Sequence, residues 1–255
     1  MFIPGLVSIT FRKLTVEQII DLCVEAGVKC IEWGGDVHVP PTDPANAARV
    51  GKLTAEAGLQ VGAYGSYYRC GEAENTSTFE QVVETAKLLN APTIRVWAGK
   101  TEDFYAADAD QAVWDRVIAD LRKCCDLAEA AGLTVTLEYH GHTLTATNES
   151  ALRLIKETDH PALRSGWQPA QARSVEDCIE GLKMVLPYVS TVHCFYWSDE
   201  RPPVRFALGD GKAKWAPFLE ILAADGKDHA VMVEFVKDDD PEQFKKDAAA
   251  LLSWL

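Results

Sequence analysis

Residues 131–140 read AGLTVTLEYH. An Ala-Gly pair closes a helical pattern, and a short apolar run follows that ends in Glu138 and His140. Glycine just past a helix supplies the left-handed conformation that terminates it. The run itself is a strand of the kind buried on both faces in a parallel sheet. Three later runs have the same form: LRSGWQP at 163–169, VSTVHCFYW at 189–197 and AVMVEFVK at 230–237. Each carries a polar or ionisable residue at or near its trailing end, namely Gln168, His193 and Glu234. A charge within an apolar strand must be paired, bound to metal or turned to a wet cavity. Such residues at the C-terminal ends of successive strands are how a (β/α)8 barrel builds an active site.

The same punctuation recurs outward from that stretch. Ala26-Gly27 and Ala57-Gly58 each end a helical pattern, and a strand-like run follows within three residues. Helix starts are marked by Thr15 with Gln18, Thr78 with Gln81 and Ser174 with Asp177, at or close to capping-box spacing. Val16, Ile19, Ile20, Cys23 and Val24 form one apolar helical stripe, and Trp114, Val117, Ile118, Leu121 and Cys125 form another. Strands are expected near 6–10, 30–34, 60–66, 93–98, 134–140, 163–169, 190–197 and 230–236. Helices are expected near 15–26, 44–57, 78–89, 108–131, 148–158, 174–186, 214–224 and 241–254. Strict alternation calls for a parallel sheet joined by right-handed crossovers. Eight units close a barrel, whereas five or six would make an open doubly wound sheet. No linker or break in composition divides the chain, so residues 1–255 read as one α/β domain, a (β/α)8 barrel.

Composition narrows the functional classes. The chain is 47% hydrophobic and 25% charged, ordinary for a globular protein. No apolar stretch approaches the roughly 20 residues of a membrane helix. The N-terminus, MFIPGLVSIT, lacks the basic segment and long apolar run of a secretory signal, so a cytoplasmic protein is expected. Lys and Arg total 25 against 38 Asp and Glu, a net charge of −13 that disfavours a phosphate backbone as partner. The seven cysteines are odd in number and contain no Cys-x-x-Cys pair, which points to structural thiols rather than a disulfide framework or zinc ribbon. Alternation turns Cys194 to the face opposite His193.

Parity also sorts the strand-end residues. Thr136, Glu138 and His140 share a face, as do His193, Phe195 and Trp197, Met232 and Glu234, Arg95 and Trp97, and Cys30 and Glu32. The fifth and eighth strands stand three positions apart around the ring, so Glu138 and Glu234 approach a shared space from different sides. One carboxylate can take a proton from the carbon beside a carbonyl while the other returns it to the opposite face or the neighbouring carbon. Both outcomes pass through an enediolate, whose charge a divalent metal stabilises. The alternative is that these glutamates only anchor buried cations. Trp33, Trp97, Trp167, Tyr196 and Trp197 also fall at strand ends, where they suit either a sugar face or core packing. His38, His140 and His142 lie at strand ends or in the loops that follow, open to either a ligand or a structural role.

These residues together carry a resemblance. The segments GLVSITFRKLTVEQIIDLCVEAGVKCIEWGG, PTIRVWAGK, LEYH, VHCFYW, GDGKAKW at 209–215 and VEF at 233–235 are similar, in order and spacing, to the xylose isomerase-like TIM barrel superfamily. The similarity is to its sugar phosphate isomerase/epimerase branch and runs nearly end to end. It implies an isomerase or epimerase of a sugar or keto acid, with a divalent metal held by Glu138, Gln168, His193 and Glu234 and the two glutamates as acid and base. Mn²⁺ or Mg²⁺ suits this oxygen-rich set. Gln168 departs from the family's Asp, and Gln171 stands where epimerases often carry a substrate-contacting His. A glutamine oxygen can coordinate a hard cation but brings no charge, so weak binding or none is expected. Substrate contacts are assigned to Glu32, Trp33, His38, Arg95, Trp97, His140, Trp197, Arg205 and Lys212. Of these, Lys212 with Arg205 or Arg201 would meet a carboxylate or phosphate. Family members are often dimers or tetramers, so self-association is compatible with the resemblance.

A dehydratase would use the same base and metal to expel a hydroxyl. Two other classes compete: a noncatalytic carbohydrate-binding barrel that has lost its metal, and an apurinic-site endonuclease. The endonuclease resembles this chain in fold but uses a trinuclear zinc site rich in His and Asp. With six histidines and none in QVGAYGSYYR, this chain is poor in those ligands.

Overall fold

The computed structural model describes every residue except 107, 108, 171, 172 and 201. Gln171 and Arg201 therefore lie outside the described residues, as does the expected start of the fourth helix at 108. Eight parallel strands close a barrel in chain order: β1 (Phe2–Val7), β2 (Cys30–Gly34), β3 (Gln60–Arg69), β4 (Thr93–Trp97), β5 (Thr134–Glu138), β6 (Leu163–Trp167), β7 (Val189–Cys194) and β8 (His229–Val233). Between and after them run α1 (Val16–Ala26), α2 (Pro44–Glu56), α3 (Phe79–Leu89), α4 (Gln111–Ala130), α5 (Asn148–Thr158), α6 (Val175–Val185), α7 (Lys212–Ala224) and α8 (Pro241–Leu252).

Local signals explain most boundaries. Thr15 and Gln18 form the reciprocal capping box at the start of α1, with Thr15 N–H donating to Gln18 Oε1 at 2.9 Å. Such a cap contributes about 1 kcal/mol. Gly27 and Gly132 take φ of 75° just past α1 and α4, where a side chain would be strained. The first strand is displaced from its expected place at 6–10. Phe2–Leu6 pair residue by residue with His229–Val233, and Ser8–Phe11 form a 3₁₀ turn instead. Pro4-Gly5 looks like turn punctuation in sequence, but closing the ring requires β1 to start early enough to meet β8.

Alternation gives the barrel two environments. Outward residues such as Ile31, Trp33, Ile94, Leu137, Trp167, Val192 and Val233 join the helices in the main apolar core. Each fully buried side chain of this kind contributes roughly 1.5–3 kcal/mol. A smaller apolar group, Val7, Ile9, Cys30, Ala230 and Met232, fills part of the barrel interior. Cys194 packs in the outer core, and all seven cysteines are buried free thiols. Strands β5, β6 and β8 stop at Glu138, Trp167 and Val233, so Gln168 and Glu234 are the first residues beyond their strands.

Candidate active site

The site begins with a buried ion network. Arg95, on β4, donates from Nε to Glu32 Oε1 at 2.6 Å and from Nη1 to Glu138 Oε2. Trp97, two residues along the same strand, donates its indole N–H to that same Glu138 oxygen. From β7, His193 Nε2 lies 2.9 Å from the other oxygen of Glu32, and Nδ1 lies 3.6 Å from Glu234 Oε2. Gly65 leaves the room this network needs, because a Cβ there would sit 2.5 Å from Arg95 Nη2 and 2.9 Å from Glu32 Oε1. Glu32, Arg95, Glu138, His193 and Glu234 are all buried.

Burial alone would neutralise such groups, and mutual charge opposes it. Burial pushes the Glu32 carboxyl up, but the charges of Arg95 and then His193 outweigh it and hold the group at about 2. Burial lowers the His193 imidazolium, yet Glu234 and Glu32 together raise it well above its ordinary value. Arg95 is likewise kept charged by Glu138 and Glu32 against the cost of burial.

One ligand atom each from Glu138, His193 and Glu234 lies within 4.8 Å of the others. Gln168 lines a cavity together with Glu138 and Glu234. Its Nε2 donates to the Tyr139 carbonyl at 2.6 Å, while its Oε1 is buried without a hydrogen-bond partner. An orphaned buried oxygen calls for a donor or a cation. Arg95 pairs with Glu32 and Glu138, whereas among the described residues Glu234 has only the His193 imidazole as an ion-pair partner. The converging donors of Glu138, His193 and Glu234 therefore fit a hard divalent cation. Glu32 fixes the imidazole from behind, as a carboxylate behind a metal-ligating histidine commonly does.

Above these groups opens a cavity of about 340 Å³, lined by Glu138, Gln168, Glu234, Arg95, Trp97, His140 and Trp197 among others. Aromatic rings form its walls. Trp97 stacks on His140 at 4.7 Å, and Phe195 stacks on Trp197 at 3.9 Å. The indole N–H of Trp197 is buried and unpartnered. The remaining substrate-contact residues named from sequence lie elsewhere. Glu32 is below the cavity floor, bonded to Arg95 and His193. Trp33 faces the helices and donates to Thr54 Oγ1 at 3.1 Å. His38 is bonded to Ser8 Oγ at 3.0 Å, outside the cavity. Arg205 donates to Asp239 at 2.6 Å and lies over the ring of Phe235, a lining residue, at 4.8 Å. Lys212 is the exposed first residue of α7 and does not line the cavity.

Sequence reasoning left out several lining residues: Arg12, Tyr67, Arg173 and Phe235. Arg12 donates to Asp36 and to the Tyr67 hydroxyl, and Arg173 lies over the Tyr105 ring at 5.3 Å. Tyr67 and Phe235 have φ of 60° and 49°, a conformation that costs a bulky residue about 1–3 kcal/mol and concentrates at functional sites. Neither backbone angle leaves a trace in the sequence.

Fold and site together define an α/β barrel with an ionisable cavity at the C-terminal ends of its strands, the usual location of barrel active sites. The chain belongs to the xylose isomerase-like TIM barrel family, which it matches over residues 20–254. It is 25% identical over 203 residues to a 3-dehydroshikimate dehydratase of Bacillus anthracis, covering 74% of this chain and 70% of that one. The crystal structure of a probable 3-DHS dehydratase from Bacillus anthracis superposes with a TM-score of 0.80 at 20% identity, covering 99% of each chain. The 3-keto-D-glucoside 4-epimerase YcjR of E. coli superposes with a TM-score of 0.75 at 18% identity, again covering 99% of each. The relatives are thus enzymes, dehydratases and epimerases, as expected from the sequence. No helix among the described residues is long and apolar enough to cross a membrane.

Proposed function

We propose that the protein is an isomerase or epimerase of a small sugar or keto acid, which moves a proton at the carbon beside a carbonyl. The observation that carries this reading is the convergence of ligand atoms from Glu138, His193 and Glu234 within 4.8 Å of one another, where Glu138 and Glu234 line a cavity that Gln168 also lines. Glu138 is held by Arg95 and Trp97, which aim its carboxylate. Glu234 approaches from β8 and is steadied by His193 at 3.6 Å. With the substrate carbon between them, one carboxylate accepts the proton and the other delivers one to the opposite face or the adjacent carbon. A divalent cation bound by Glu138, Gln168, His193 and Glu234 would stabilise negative charge developing on the carbonyl oxygen. The aromatic walls exclude water and lie against the C–H faces of the substrate.

A second reading, dehydration, is supported by the Bacillus anthracis relative and by Arg12 and Arg173 in the cavity wall, which suit a carboxylate on the substrate. Here the base takes the same proton, a C=C bond forms, and the β-hydroxyl leaves as water with a proton from the second glutamate. Incubation in D₂O with keto-sugars and hydroxy-keto acids, with and without Mn²⁺, tests both readings. Deuterium at the carbon beside the carbonyl with substrate skeleton retained identifies the isomerase, and an unsaturated product identifies the dehydratase. Glu138→Gln and Glu234→Gln should each lower either rate by about 10²–10⁴. Full activity in either variant overturns the acid/base assignment, whereas sugar-dependent stabilisation without exchange in the wild type overturns the enzyme reading in favour of a binding barrel.

A further inference from the structure

We propose that Cys70, Asp120 and Cys124 form a second cation site, for a soft, thiolate-seeking divalent ion of the zinc class, that ties the end of β3 to α4. Apart from the barrel centre, this is the other group among the described residues whose ligand atoms converge, one from each lying within 4.8 Å of the others. Asp120 and Cys124 are four residues apart on α4 and share a face, while Cys70 follows the last residue of β3.

Both thiols are buried and meet each other, and the Cys70 thiol is held protonated by that contact and then by burial. Asp120 is already oriented: its Oδ2 accepts from the Gly71 N–H at 2.8 Å and from the Tyr68 hydroxyl at 3.2 Å. Those bonds are the supporting donors that metal-binding carboxylates characteristically have. Two sulfurs and one carboxylate oxygen select zinc-like ions over the Mn²⁺ or Mg²⁺ suited to the barrel centre. A fourth, water ligand has room in the adjoining crevice, of about 480 Å³ and lined by Tyr68, Asp120, Lys123 and Cys124. Binding exchanges two thiol protons for one divalent ion, with no change of oxidation state.

The site adjoins the active cavity. The Cys70 N–H donates to the Trp97 carbonyl at 2.8 Å, and the Arg69 guanidinium stacks on the Trp97 ring at 3.8 Å. Trp97 in turn holds Glu138. A cation bridging β3 and α4 therefore stiffens the wall that positions one of the paired glutamates.

The test is titration of the full chain with Cd²⁺, following sulfur-to-cadmium charge-transfer absorption, with Zn²⁺ as competitor. Wild type and Glu234→Gln, which weakens the barrel centre, should both show the band at one ion per chain. Cys70→Ser and Cys124→Ser should lose it, whereas Cys125→Ser, on the same helix but outside the cluster, should keep it. Asp120→Asn preserves an acceptor for Gly71 and Tyr68, and should keep the band while binding at least about tenfold more weakly. If the serine variants do not fold, the Asp120→Asn affinity decides. No band in the wild type, a band that survives both serine variants, an unchanged Asp120→Asn affinity, or a Cys70–Cys124 disulfide in the isolated protein would each overturn the proposal.

Discussion

Glu32 and His193 are 161 residues apart in the chain and meet inside the barrel, Oε2 to Nε2, at 2.9 Å. The other oxygen of the same carboxylate holds Arg95 at 2.6 Å. One buried acid thus orients the imidazole that faces Glu234 and the guanidinium that holds Glu138.

Replacing that acid by its amide keeps the shape and removes an acceptor and a charge. Glu32→Gln should weaken Mn²⁺ binding by about 10–100-fold, the usual effect of losing a carboxylate behind a metal-bound histidine. Calorimetric titration measures it. Unchanged affinity would show that His193 is oriented without help from Glu32.

Arg95 compensates two buried carboxylates. Arg95→Met should destabilise the metal-free protein by about 3–5 kcal/mol in urea denaturation, because Glu32 and Glu138 both lose their buried cation. Mn²⁺ should return part of that loss. A variant as stable as wild type would mean that the carboxylates find another partner.

Gln168 supplies an oxygen without charge. Gln168→Asp adds a negative charge beside the proposed cation and should tighten Mn²⁺ binding by tenfold or more, an effect of about 1.4 kcal/mol. It also gives up the donor to the Tyr139 carbonyl. If affinity does not rise, residue 168 does not touch the cation.

The pH dependence follows from the same network. Glu32 titrates at about 2 in the fold against an ordinary 4.5. A carboxyl with a depressed folded pKa contributes stability that is complete above its unfolded value and is lost as pH falls through the folded one. The metal-free protein should therefore weaken between 4.5 and about 2, and Glu32→Gln should flatten that limb. His193, raised above 6.5, acts in the opposite sense: its contribution is complete below 6.5 and fades as pH climbs through the raised value. Urea midpoints measured across pH check both limbs, and identical acid slopes in the two proteins would remove Glu32 from the account.

The amino-acid sequence by itself determined the alternation of strands and helices, because hydrophobic period, capping boxes and terminal glycines are local signals that need no partner. It also marked Glu138, His193 and Glu234, since a charge inside an apolar strand is conspicuous wherever the strand goes. Only the tertiary structure decided what those groups meet. The start of β1 at Phe2 depends on pairing with β8, and the role of Glu32 depends on Arg95 and His193 arriving from other strands. The left-handed backbones of Tyr67 and Phe235 and the orphaned oxygen of Gln168 likewise exist only once the ring has closed. Charge pairing and burial act through space, between residues whose separation in the chain says nothing of their distance in the fold.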